Sequence, residues 1–205
     1  MSSEAIRDER LRLVERLRSI PADDWEKPSL CVGWRVRDVL GHLVTPFLVS
    51  RTTMAGRIIR RRGIAAAMDA TARDLAERPT DELLTVLKDN ASSTFRPPGL
   101  PTAAPLTDAI VHSADIRWSI GDAHADWADP VRLLPVLDFL VSPRARAGFV
   151  PSGRTRGLRL VATDQSWAHG DGAEVRGPSL ALAMAVLGRP AALPSLNGDG
   201  LLTTR

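Results

Sequence analysis

Trp34-Arg35-Val36-Arg37-Asp38-Val39-Leu40-Gly41-His42-Leu43 is the stretch on which the fold turns. Val36, Val39, Leu40 and Leu43 recur at spacings of three and four, which predicts an amphipathic helix with one buried stripe. His42 sits among these apolar residues. A second stretch has the same character: Thr107-Asp108-Ala109-Ile110-Val111-His112-Ser113-Ala114-Asp115-Ile116. Asp108 precedes His112 by four positions, so on a helix both side chains share one face, about 6 Å apart along the axis. One histidine from the first helix and a carboxylate–histidine pair from the second make a three-donor set with open positions, the pattern of a catalytic rather than a structural metal site. The candidate ligands are therefore His42, Asp108 and His112. The competing reading is a polar network of two packed histidines in a helical core.

Residues flanking each histidine bear on its orientation. Asp38, four before His42, and Asp115, three after His112, are placed to accept a hydrogen bond from an imidazole N–H and fix its tautomer. The alternative for each is an ion pair with Arg35, Arg37 or Arg117. Cys31 reads as a packed, inert small residue rather than a reactive thiol. Trp34 and Trp118 read as core or pocket walls. His124 and His169 fall in expected loops and receive no role. No side chain is assigned a catalytic role beyond the ligands.

The remaining chain supports a mainly helical protein. Its 205 residues suit one main domain with a small appendage, and a 44% hydrophobic fraction is enough for a core. No run of 18 apolar residues is present, so no membrane span is expected. Met1 to Arg18 is charged throughout and lacks a signal core, which points to a cytoplasmic location. Cys31 is the only cysteine. That excludes an internal disulfide and any multi-thiolate zinc site, leaving His and carboxylate as donors. Of 27 basic residues all but Lys27 and Lys88 are arginine, yet the net charge is only +3. The one dense cluster, Arg57, Arg60, Arg61 and Arg62, suits a helix C-terminus before Gly63. There is no basic stripe with interleaved aromatics, so nucleic-acid binding is not expected.

Periodicity and breakers predict a helix over 4–20, a loop to Gly33, and one long helix over 36–61 kinked by Pro46. Further helices are expected over 64–76, from Thr80 (as cap), over 106–120 with Thr107 as cap, and over 130–141. Pro143 to Gly157 reads as a linker. Alternation over 158–163, a Gly170-Asp171-Gly172 turn, a strand near 173–176 and an apolar helix over 180–187 make a small ββα appendage. The expected division is a bundle at 1–142, a linker at 143–157 and an α/β tail at 158–205.

Taken together, three stretches resemble the mycothiol-dependent maleylpyruvate isomerase family, within the DinB/YfiT-like group of helical-bundle metalloenzymes. They are the Cys31-x-Gly33-Trp34-x-Val36-Arg37-Asp38-Val39-Leu40-x-His42-Leu43 run, the Asp108-x3-His112-x2-Asp115-Ile116 run, and the tail with Gly177-Pro178, Gly188-Arg189-Pro190 and Leu196-x-Gly198-Asp199-Gly200. The resemblance implies a four-helix bundle with a small α/β domain and a metal held by His42, Asp108 and His112. Asp108 stands where members of the family carry Glu or His. The metal expected is zinc, with nickel, iron or manganese as alternatives. The resemblance further implies an enzyme using mycothiol or a similar low-molecular-weight thiol, acting on a small electrophile as isomerase or S-transferase. Arg189 becomes a candidate for holding a carboxylate of substrate or thiol, with a surface ion pair as the alternative. Other readings are a non-catalytic ligand-binding or dimerisation module and a metal-dependent hydrolase. Expected partners are small molecules only, with the chain a monomer or homodimer.

Overall fold

The computed structural model describes residues 3–122, 127–146 and 149–203. The chain forms two compact units, the first of residues up to Phe95 together with Asp108–Asp122, the second of Arg96–Thr107 and the residues from 123 on. The protein is mainly helical, and the first unit is a helical bundle. It contains α1 (Ser3–Leu17), α2 (Val36–Leu48), α3 (Arg51–Arg61), α4 (Ile64–Ala76), α5 (Thr80–Asp89) and most of α6 (Ala104–Ser119).

Its core joins the apolar stripes of four helices: Leu13, Val14 and Leu17 from α1, Val36 to Val44 from α2, Leu83, Leu84 and Leu87 from α5, and Ile116 from α6. Fully burying one such aliphatic side chain stabilises the fold by about 1.5–3 kcal/mol. α4 packs on another side of α2 through small residues. A Cβ built on Gly41 would lie 2.2 Å from the Ala72 carbonyl oxygen and 3.1 Å from the Ala76 nitrogen. Glycine is thus what allows the two helix backbones to touch at the residue next to His42.

The expected helix over 36–61 is two helices. α2 ends at Leu48, and Ser50 begins α3 by accepting a hydrogen bond from Thr53 N–H at 3.1 Å. A serine cap inside a periodic stretch restarts the helix on a new axis. Thr80 and Thr107 are not caps. Thr80 is the first residue of α5, behind Pro79, and the Thr107 hydroxyl lies inside α6, donating to the Ala103 carbonyl. At the end of α3 the left-handed residue is Arg62, with φ 57°, and Gly63 is extended.

The second unit holds α7 (Pro130–Val141), α8 (Pro143–Arg146), β1 (Leu158–Ala162), β2 (Ala168–His169), β3 (Ala173–Gly177) and α9 (Ser179–Val186). Its sheet has the order β2-β1-β3, so the appendage carries three strands rather than the expected two. β1 pairs parallel with β3 (Leu160 beside Val175) and antiparallel with β2 (Leu160 beside His169). A two-residue edge strand is too short to show alternation in sequence. α9 is buried at every position and therefore needs cover on all sides. α7 supplies part of it, with Leu133, Val136 and Leu137 buried. The compact units thus divide the chain differently from the expected boundaries at 142 and 157, because α7 finds its apolar partner in α9. α8 occupies the start of the expected linker. No helix among the described residues is long and apolar enough to cross a membrane.

Candidate metal centre

Two helices and one loop of the first unit build the centre. α2 carries His42 and α6 carries Asp108, His112 and Asp115. The loop before α2 is pinned at both ends: Val36 N–H donates to the Lys27 carbonyl, and Ser29 N–H to the Trp34 carbonyl. Gly33, at φ 80°, supplies the left-handed residue that turns this loop. Leu30 N–H donates to the Asp115 carbonyl, which ties the loop to α6 and delivers Cys31 there.

The three expected ligands converge. Asp108 Oδ1 lies 3.3 Å from His42 Nε2 and 3.6 Å from His112 Nε2. All three donor atoms lie within 4.8 Å of one another. A tetrahedral cation bonded at about 2.0–2.1 Å separates its ligand atoms by about 3.3 Å, so this spacing suits a shared ion. Despite being one methylene shorter than glutamate, Asp108 reaches both imidazoles. The side chains retain 17%, 32% and 14% exposure for His42, Asp108 and His112, which leaves an approach from solvent. Two nitrogens and one oxygen form a borderline donor set that zinc, nickel, iron or manganese accepts.

The two imidazoles are held differently. Nδ1 of His112 lies 3.0 Å from Asp115 Oδ2, and the Cys31 thiol donates to the same oxygen at 3.0 Å. Asp115 is fully buried. Its carboxylate accepts the Nδ1 proton, so His112 turns Nε2 toward Asp108. His42 has no such partner: its Nδ1 is sealed from solvent and unpaired among the described residues. Packing sets its orientation instead. The Trp34 ring lies 5.3 Å away, fixed by an N–H bond to Asp69 at 2.7 Å, and the His112 ring stands edge-on at 4.8 Å.

Charge follows the same geometry. Burial alone would raise the Asp108 carboxyl, but the hydrogen bond and charge of His42, with His112 and Arg10 behind them, hold it down at about 2. Burial alone would lower His112; contact with Asp115, then Cys31 and Asp108, outweighs it and raises the imidazole well above its ordinary value. A cation entering this centre must therefore displace a proton from His112.

The other expected residues fall as follows. Asp38 does not meet His42. It is fully buried and accepts from the Arg35 backbone N–H at 2.8 Å and from its guanidinium at 2.8 and 3.0 Å, with Arg73 at 3.8 Å. The ion-pair reading of Asp38 is the one the geometry follows. Arg189 lies in the second unit and donates to the Leu187 carbonyl. His169, in β2, stacks on Trp167, the residue before that strand. His124 lies outside the described residues. Sequence reasoning missed Cys31, whose partners His112 and Asp115 are 81 and 84 positions away. The second donor cluster, Cys31, His112 and Asp115, shares His112 with the first.

Fold and site together define a helical bundle with a candidate metal centre. Residues 6–96 match the family model of the mycothiol maleylpyruvate isomerase N-terminal domain. Over this segment the chain is similar to the mycothiol maleylpyruvate isomerase family. In fold it is similar to the crystal structure of the mycothiol-dependent maleylpyruvate isomerase, with 14% identity, a TM-score of 0.56, and coverage of 96% of this chain and 91% of that one. A crystal structure of a histidine-to-alanine mutant of that isomerase matches with the same values. No curated protein matches the chain significantly.

Proposed function

We propose that this chain is a metal-dependent enzyme using mycothiol or a similar low-molecular-weight thiol, acting on a small electrophile as an isomerase or S-transferase in the cytoplasm. The observation that carries this reading is the convergence of His42 Nε2, Asp108 Oδ1 and His112 Nε2 on one point. The family and the solved structures it resembles support the thiol.

His42, Asp108 and His112 would hold the ion, with zinc the first candidate. A divalent cation there supplies Lewis acidity that keeps a thiol on its open side deprotonated at neutral pH. Asp115 keeps the proton on His112 Nδ1, so that Nε2 presents a lone pair to the centre. Trp34 forms a wall beside His42. With an activated double bond as substrate, the thiolate sulfur forms a carbon–sulfur bond and leaves a single bond that rotates. Cleavage of the carbon–sulfur bond restores the double bond in the other geometry and releases the thiol. Where cleavage does not follow, a proton from solvent adds to the carbanion left by the addition, and the product is the thioether of S-transfer.

The test is elemental analysis of freshly purified chain, followed by turnover of a cis-configured electrophilic acid with and without mycothiol. About one divalent ion per chain and strict thiol dependence are expected. Equal turnover without thiol would move the chain to the hydrolases. Absence of metal, with no chelator effect on melting, would reduce the centre to a polar core network.

A further inference from the structure

His112 turns its two ring nitrogens to two different clusters. Nε2 faces Asp108 and His42, the centre described above. Nδ1 faces Cys31 and Asp115, and these three donors form a group of their own. Nδ1 lies 3.0 Å from Asp115 Oδ2 and 3.7 Å from Cys31 Sγ, and Sγ lies 3.0 Å from the same Oδ2. A divalent cation bonded at about 2.3 Å to sulfur and 2.0–2.2 Å to nitrogen and oxygen sets its ligands about 3.3–3.6 Å apart. The longest side of the triangle already has that length. Its two short sides are hydrogen bonds, and each opens by about half an ångström when an ion replaces the hydrogen.

Backbone contacts hold the donors in place. Cys31 N–H donates to Ser29 Oγ at 3.2 Å, and the Cys31 carbonyl accepts from Trp34 N–H at 2.9 Å. Leu30 N–H donates to the Asp115 carbonyl at 3.3 Å, which fixes this loop against the turn of α6 that carries His112 and Asp115. Cys31 is only partly buried, so an ion has an approach. Two hydrogens, one from sulfur and one from nitrogen, converge on one oxygen of a fully buried carboxylate. A divalent cation carries the charge of the two protons it displaces. The exchange therefore adds no net charge to the interior, where extra charge is costly.

We propose that Cys31, His112 and Asp115 form a second cation site, which takes a divalent ion that accepts a thiolate, of the zinc and cadmium class. One sulfur, one nitrogen and one oxygen make a softer set than the two nitrogens and one oxygen of the first centre. With both positions filled, the His112 ring bridges the two ions, and Asp115 holds the second ion in place of the hydrogens. Displacing two hydrogens makes this the weaker position, filled when cation is added rather than carried through purification. The thiol chemistry proposed above is a separate matter: either site can fail while the other binds.

The experiment titrates the full, metal-free chain with cobalt(II) in a phosphine reductant. Cys31 is the only cysteine, so a thiolate-to-cobalt charge-transfer band in the near ultraviolet has one source. The native chain should bind two cobalt ions and show that band with an intensity of one thiolate per chain. Cys31→Ser should lose the band and one of the two ions, and His42→Ala should lose the other ion and keep the band. No band in the native chain would overturn the proposal. So would a Cys31→Ser chain that still binds two ions, or a band lost with His42→Ala, which would make Cys31 a ligand of the first centre. Two ions and an intact band in His42→Ala would remove His42 from the first centre and leave the second site standing. X-ray absorption at the cobalt edge of the native chain, with two ions bound, needs no variant to fold: sulfur among the ligands is expected, and its absence would refute the site.

Discussion

Replacing Gly41 by alanine should destabilise the protein, although alanine is the better helix former. The added Cβ would stand 2.2 Å from the Ala72 carbonyl oxygen. A carbon–oxygen contact settles at about 3.3 Å or more, so α4 must retreat by about 1 Å. The obstacle is backbone, and no rotamer change relieves it. Overpacking of this kind costs about 1–3 kcal/mol, and here the upper end applies. Helix propensity returns about 1 kcal/mol. The net loss is about 2 kcal/mol. For a chain of this size each kcal/mol moves Tm by about 2–4 °C, so Gly41→Ala should melt about 4–8 °C lower. Gly56, in the middle of α3, is the control: nothing lies within 4 Å of the Cβ built there. Gly56→Ala should raise Tm by about 2–4 °C through propensity alone. Thermal melts followed by circular dichroism at 222 nm read both. If Gly41→Ala melts at or above the wild type, the backbone contact of α2 with α4 is not what holds the crossing, and the reasoning fails.

Three further outcomes follow from the centre and its support. His112→Ala should purify without bound metal while its helix content is kept; stoichiometric metal by elemental analysis would remove His112 from the ligand set. Asp115→Asn exchanges a carboxylate acceptor for an amide behind His112 and should weaken metal binding about 10–100-fold in a competition titration against a chelator, with unchanged affinity ruling out its orienting role. Asp38→Asn should cost about 1–3 kcal/mol at neutral pH, because buried hydrogen bonds from Arg35 lose their charged acceptor. Burial pushes the Asp38 carboxyl up, but the hydrogen bonds and charge of Arg35 outweigh it and leave the folded value depressed. A depressed folded value stabilises above the unfolded carboxyl value of about 3.9 and is lost as pH falls through the lower folded one. The Tm gap between wild type and variant should therefore be flat above about pH 5 and close below about pH 4. A gap unchanged from pH 7 to 3 would contradict this assignment.

The convergence of the three candidate ligands was legible because each part obeys a local rule. Asp108 and His112 are related by one helical turn, and His42 rides a stripe whose period is unmistakable. Asp115 was legible for the same reason. Other contacts answer to distance in space rather than in sequence. Cys31 meets Asp115 only because Leu30 is hydrogen-bonded to α6. Arg10 binds carbonyls 80 or more positions away, and backbone carbonyls leave no mark on composition. The break at residues 49–50 was hidden because apolar periodicity continues through it, and the Ser50 cap is one serine in a polar run. Three-strand pairing was hidden because β2 is too short to carry a pattern.

The course of α6 has a consequence for anyone cutting this gene. Its first turn is counted with one compact unit, and the rest, with three residues of the site, with the other. A fragment ending at Phe95 would keep Cys31 and His42 yet forfeit Asp108, His112 and Asp115. A fragment beginning at Asp108 would start in mid-helix with its upstream turn removed. Each half on its own carries only part of the candidate site, so the five residues come together only when both stretches are present.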